Sequence, residues 1–149
     1  MQPRPRLRVF LDSNVIFSGL YSAEGAPGII LQHFIEGRLT VVISQQVLDE
    51  VVRTIREKLP EGLPALRRLL MSMPPEIKEG PAPEETARWA KVIHPDDAGI
   101  LAAAVAAQTD YLITGDTHFF ENPNIAGESG LHIVTPAQFL ARLGESGST

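Results

Sequence analysis

The chain has 149 residues, 44% of them hydrophobic and none of them cysteine, and its 18 acids against 13 lysines and arginines give a net charge of −5. That length makes one domain with a substantial core and requires no second one. No apolar run reaches the roughly 18 residues a membrane span needs, the missing cysteines exclude disulfides and thiolate metal sites, and the acidic balance argues against a broad basic footprint for nucleic acid.

The N-terminal MQPRPR leader carries arginines but passes directly into a short apolar run, so it does not read as a signal peptide. Together with the absent cysteines this fits a reducing, cytoplasmic setting. Residues 7–11, LRVFL, read as a buried strand that ends on Asp12, Ser13 and Asn14. These are ordinary turn formers. They also stand at a strand's carboxyl end, where open parallel sheets bind ligands.

Residues 15–21 suggest a short helix, and after the 25–28 break a second helix is predicted from 27 to about 36, with Ile30, Leu31, Phe34 and Ile35 at helical spacing. Residues 39–43, LTVVI, read as the second strand, with Ser44 placed to cap the next helix. In that helix Val47, Leu48, Val51, Val52, Ile55 and Leu59 share one stripe. Glu50 falls off the stripe and is expected to face solvent, and periodicity does not separate it from Asp49.

Residues 60–83 read as an appended helical arm, with a helix over 64–73 and a break at Pro74 and Pro75. Arg53, Arg56, Lys58, Arg67 and Arg68 make this the most basic region, either a solvated face or a wall toward phosphate or an acidic partner. Leu63, Leu66, Leu69, Leu70 and Met73 offer a homodimer surface as the alternative. Residues 84–92 give another short helix, in which Trp89 is expected to pack.

The stretch from Asp97 to Asp116 organises the rest. Residues 98–107 are almost wholly Ala, Ile, Leu and Val, which predicts a helix covered on most sides. Pro95 suits its first turn, and Asp96 and Asp97 suit its cap and positive dipole end. A strand over 111–114 follows, Gly115 frees the turn, and Asp116 stands at the strand's end. Residues 131–134 make a last strand, Thr135 and Pro136 open a helix to about 143, and 144–149 should fray as a disordered tail.

The alternation of strands and helices predicts a single α/β domain over 1–149, with a mostly parallel central sheet and helices on both faces. On such a sheet Asp12 and Asp116 share one edge, Asp97 at a helix start should face it, and Glu50, although off the stripe, could lean in from the preceding crossover. Crowded carboxylates repel unless protonated or neutralised by a cation. Without cysteine the fitting cation is Mg²⁺ or Mn²⁺, which takes carboxylate and water oxygens and supports phosphodiester hydrolysis.

LRVFLDSN, SQQVLDEVV, HPDDAGILAAA and DYLITGD also resemble the ordered acidic motifs of the PIN-domain ribonucleases, which include the VapC-like toxins of toxin–antitoxin pairs. The resemblance spans residues 7 to about 140. It implies a Rossmann-like three-layer fold and metal-dependent endoribonuclease activity on RNA, with one or two Mg²⁺ or Mn²⁺ ions and a protein antitoxin as partner. It matches Asp12, Glu50, Asp97 and Asp116 to the family's catalytic and metal-binding quartet, choosing Glu50 over Asp49 and Asp97 over Asp96. Ser13, Asn14 and Thr114 match the supporting polar positions. His94 departs from the pattern, standing where many relatives carry another acid.

His118, two residues after Asp116, is near enough to touch a substrate phosphate or to have no role; His33 and His132 read as packing or surface residues. The competing function is a non-catalytic RNA- or protein-binding scaffold. A phosphatase of the haloacid dehalogenase type would want an acid where Asn14 stands, a receiver domain would want its acid pair near the first strand, and a P-loop is absent.

Overall fold

The structure, a computed structural model, describes residues 6–72 and 75–147. Most of the N-terminal leader, the Met73 and Pro74 positions of the expected arm and the last two residues lie outside the described residues. Five strands, β1 (Leu7–Leu11), β2 (Leu39–Ser44), β3 (Glu76–Lys78), β4 (Tyr111–Ile113) and β5 (His132–Val134), form one sheet in the order β3-β2-β1-β4-β5. Every neighbouring pair is parallel.

Successive strand residues point to opposite faces. Val9, Phe10 and Leu11 are nevertheless all fully buried, as are Leu112 and Ile113, so the sheet is covered on both sides. The covering helices are α1 (Ser13–Tyr21), α2 (Ala26–Ile35), α3 (Gln45–Lys58), α4 (Leu63–Ser72), α5 (Pro83–Trp89), α6 (Pro95–Ala106), α7 (Asn124–Ser129) and α8 (Pro136–Gly147). The architecture is the single parallel α/β domain that the alternating pattern requires.

The amphipathic stripe of α3 turns inward: Val47, Val51 and Ile55 are buried, and Ser44 Oγ accepts from Val47 N at 3.3 Å as the cap. In α6, Ala98 through Ala104 are buried without interruption, as a helix lacking a polar face must be. Its cap differs from expectation. His94, not an aspartate, is the capping residue, its Nδ1 accepting from Asp96 N at 3.2 Å, because Pro95 occupies the first helical position and pushes both acids into the first turn.

The 60–83 segment is built into the domain rather than appended to it. After a turn at Pro60–Gly62, α4 buries Leu66 and Leu69 in the core, which removes them from any dimer surface. β3 then joins the sheet edge, a strand that the sequence pattern missed because Glu76, Ile77 and Lys78 are all exposed. Arg8 reaches across from β1 to donate to Glu76 Oε2 at 2.7 Å and to Ala107 O at 3.0 Å. Between β4 and β5 lie a 3-10 turn at Thr117–Phe120 and α7, also unforeseen. Trp89 packs as expected, 3% exposed. α8 starts with a reciprocal Thr135–Gln138 cap and continues to Gly147.

The sheet order places the edge at which the candidate acids stand. From β1 the chain adds β2 and β3 on one side and later adds β4 and β5 on the other, so the crevice of a doubly wound sheet opens at the carboxyl ends of β1 and β4. Leu11 and Ile113 are in register there, and Asp12 N donates to Ile113 O at 3.1 Å.

Candidate functional site

Three consecutive residues at the end of β1 each tie down a different part of the chain. Asp12 caps α1 and is 5% exposed; its Oδ1 accepts from Ser13 N at 2.8 Å, and its Oδ2 accepts from Thr114 Oγ1 at 2.8 Å and Asn14 Nδ2 at 3.2 Å. Ser13 Oγ donates to Glu50 Oε2 at 2.9 Å. Asn14 Oδ1 accepts from Gly115 N at 2.8 Å. A Cβ on Gly115 would stand 3.2 Å from that same Asn14 oxygen, so glycine allows the close approach of the two loops.

Burial raises the Asp12 pKa to about 6, with hydrogen bonds from Thr114 and Ser13 partly offsetting it and the charges of Glu50 and Asp116 pushing it further up. Thr114, itself fully buried, also accepts from Asp116 N at 3.0 Å, so one hydroxyl joins both strand-end acids.

Glu50 is half-buried rather than solvent-facing, although it lies off the apolar stripe. Ser13 holds one of its oxygens, and Gln46 Nε2 donates to the other at 3.2 Å while also bonding Asp96 O at 3.2 Å. Asp49 instead faces outward and pairs with Gln45 on its own helix at 2.9 Å. Gln46 was not singled out from sequence; its position one turn before Glu50 was the available signal.

Asp97 sits in the first turn of α6 with its side chain 14% exposed, against 87% for Asp96. Burial and then the charge of Asp116 raise its pKa, while His118 and His94 lower it. Asp116 caps the Thr117–Phe120 turn, its Oδ1 accepting from His118 N at 2.9 Å. The turn brings His118 Nδ1 to 3.2 Å from Asp116 Oδ1 and 3.5 Å from Asp97 Oδ2.

One ligand atom each from Asp97, Asp116 and His118 lie within 4.8 Å of one another, the one such group among the described residues. A divalent ion with bonds of about 2.1–2.2 Å holds adjacent ligand atoms roughly 3.0–3.5 Å apart, so the observed spacings fit a shared ion. Asp12 and Glu50 lie outside this triplet. Asp12 couples to both Glu50 and Asp116 through their charges, so the four acids form one electrostatic unit. An open cleft of about 550 Å³, lined by Lys91, His94, His118, Glu121 and Asn122 among others, adjoins His118.

A sequence profile of the PIN domain matches residues 8–118. No curated protein matches the chain significantly. Similar solved structures include VapBC2 from Rickettsia felis bound to a DNA fragment from their promoter, at 19% identity and TM-score 0.62 over 87% of this chain and 98% of that one. PAE2754 from Pyrobaculum aerophilum aligns at 16% identity and TM-score 0.63 over 93% and 90% of the two chains. FitAcB from Neisseria gonorrhoeae aligns at 18% identity and TM-score 0.59 over 86% and 97%. With the match covering most of the chain and both strand-end acids, the protein belongs to the PIN-domain family.

Proposed function

We propose that the protein is a divalent-metal-dependent endoribonuclease, the toxin half of a toxin–antitoxin pair, with Asp12, Glu50, Asp97 and Asp116 as its functional acids and Ser13, Asn14 and Thr114 as their supports. The observation that carries the reading is the meeting of Asp97, Asp116 and His118, one ligand atom of each lying within 4.8 Å of the others, beside a buried Asp12 whose pKa is raised. Family membership supports it, and the likeness to VapBC2 and to FitAcB supports an antitoxin partner.

Asp97 and Asp116 would hold Mg²⁺ or Mn²⁺ with Asp12 close by, and the bound ion would polarise a phosphoryl oxygen and lower the pKa of water. Glu50, its two oxygens fixed by Ser13 and Gln46, retains lone pairs to orient a water and accept its proton. Thr114 keeps Asp12 and Asp116 in fixed relation, which preorganises the anionic pocket before substrate arrives. The cleft beside His118 has the volume to seat a nucleotide, with Lys91 and Asn122 available to phosphate or base edges.

The test is cleavage of single-stranded RNA by purified protein with Mn²⁺ or Mg²⁺, with and without EDTA, against Asp116→Asn. Metal-dependent cleavage lost in the variant is expected. Wild-type protein that binds RNA or a partner but never cuts would replace the nuclease with a binding scaffold.

A further inference from the structure

Resting on the metal site proposed above, we infer that His118 is a nitrogen ligand of that ion and biases the site toward Mn²⁺ over Mg²⁺. The quartet of acids does not include this residue. Its imidazole nevertheless approaches both Asp97 and Asp116, with Nδ1 at 3.5 and 3.2 Å from their oxygens.

The local backbone fixes that aim. Asp116 Oδ1 accepts the His118 backbone N–H at 2.9 Å, so the two residues are held as an i, i+2 chelate at the start of a 3-10 turn. The His118 side chain is 58% exposed, against 14% for Asp97 and 28% for Asp116, so packing does not dictate the ring's direction. His94, the other imidazole near Asp97, differs: its Nδ1 is engaged by Asp96 N as the α6 cap. A metal bound at His118 Nδ1 leaves Nε2–H toward water, the usual second partner of a ligating histidine. The exposed side of the triplet leaves coordination positions for water and phosphate, as a catalytic site requires.

The ligand type sets the preference. Mg²⁺ demands oxygen donors and near-ideal octahedral geometry, whereas imidazole favours transition metals. Two carboxylates and one imidazole therefore discriminate where carboxylates alone would discriminate less.

The experiment is electron paramagnetic resonance of Mn²⁺ bound to the full chain, which reads both affinity and nitrogen coupling without any assay of cleavage. Wild type and His94→Ala should show coupling from a coordinated nitrogen, and His118→Ala should lose it, with the Mn²⁺-to-Mg²⁺ affinity ratio falling about tenfold. His118→Asp should restore tight binding but keep the lowered ratio. Bound Mn²⁺ without nitrogen coupling, or coupling that survives His118→Ala, overturns the inference while leaving the nuclease reading intact. Failure of Mn²⁺ to bind wild type at all overturns both.

Discussion

Thr114 and Asp12, 102 positions apart in sequence, are joined by a 2.8 Å hydrogen bond in which the Thr114 hydroxyl donates to Asp12 Oδ2. The same hydroxyl accepts from Asp116 N at 3.0 Å, so it is oriented from both sides and locks the ends of β1 and β4 together. A buried group with both its donor and acceptor roles filled is costly to replace.

Thr114→Val keeps the shape and removes both bonds. It should destabilise the protein by about 1–3 kcal/mol, since Asp116 N loses its partner and Asp12 Oδ2 keeps only Asn14. Thr114→Ser should retain most of that stability and the Mn²⁺ affinity that the valine variant loses. Urea denaturation and Mn²⁺ titration of the two variants check this, and equal behaviour would show that the hydroxyl is idle.

Gln46 should matter to turnover more than to substrate binding. Its Nε2 spans Glu50 Oε1 and Asp96 O, tying α3 to the start of α6 directly beside the acids. Gly99 makes room for it: a Cβ there would stand 2.6 Å from Gln46 Oε1. Gln46→Leu should lower kcat about tenfold with KM nearly constant, because Glu50 loses orientation and not charge. Gln46→Glu should be worse through like-charge repulsion. Combined with Ser13→Ala, the loss should be non-additive, as both residues act on one carboxylate. Single-turnover cleavage across this cycle measures it; additive losses would mean that the two act separately.

Gly28 predicts a stability effect remote from the acids. A Cβ at Gly28 would lie 2.5 Å from Ser22 O and 2.6 Å from Ala23 backbone atoms, none of which belongs to a flexible side-chain end. Gly28→Ala should cost about 1–3 kcal/mol by forcing the α1–α2 connection apart. Gly127→Ala, in a helix with nothing within 4 Å of the added carbon, should be neutral or stabilising. Thermal melts of the pair separate crowding from a general glycine effect.

The legible parts of the fold were those written as periodicity. β1 and the stripe of α3 follow directly from it, and so does the all-apolar run of α6, because burial demands those patterns. β3 escaped because an exposed three-residue edge strand is held by Arg8 and backbone pairing, not by apolar side chains. The acids at strand ends were legible through topology, whereas the choice of Glu50 over Asp49 came only from family resemblance. The structure distinguishes the two through Gln46, one turn back on the same helix, and through Ser13, a partner 37 residues away that no helical wheel displays. The approach of His118 to Asp97 and Asp116 was not legible because it depends on the 3-10 turn after Asp116, for which there was no apolar signal.

Asp12 gives a pH dependence whose sign is opposite to that of an ordinary salt-bridged acid. Its folded pKa, about 6, lies above the ordinary value of 3.8, mainly through burial. Between those values the folded protein holds a proton that the unfolded chain has released. The stability from this group is therefore complete below the ordinary value and is lost as pH rises through about 6, a change on the order of 2–3 kcal/mol for a group so buried. Asp97, raised in the same direction, adds to the trend. Metal-free wild type should thus lose stability from pH 4.5 to 7.5 relative to Asp12→Asn, which has no carboxyl to ionise there. At pH 7.5 the variant should melt at the same temperature as wild type or higher, while losing RNA cleavage. Adding Mn²⁺ should raise the wild-type melting temperature more at pH 7.5 than at pH 5, because protons and metal compete for the same oxygens. Parallel wild-type and Asp12→Asn stability curves across that range would show that Asp12 is not the buried, proton-hungry centre of the cluster.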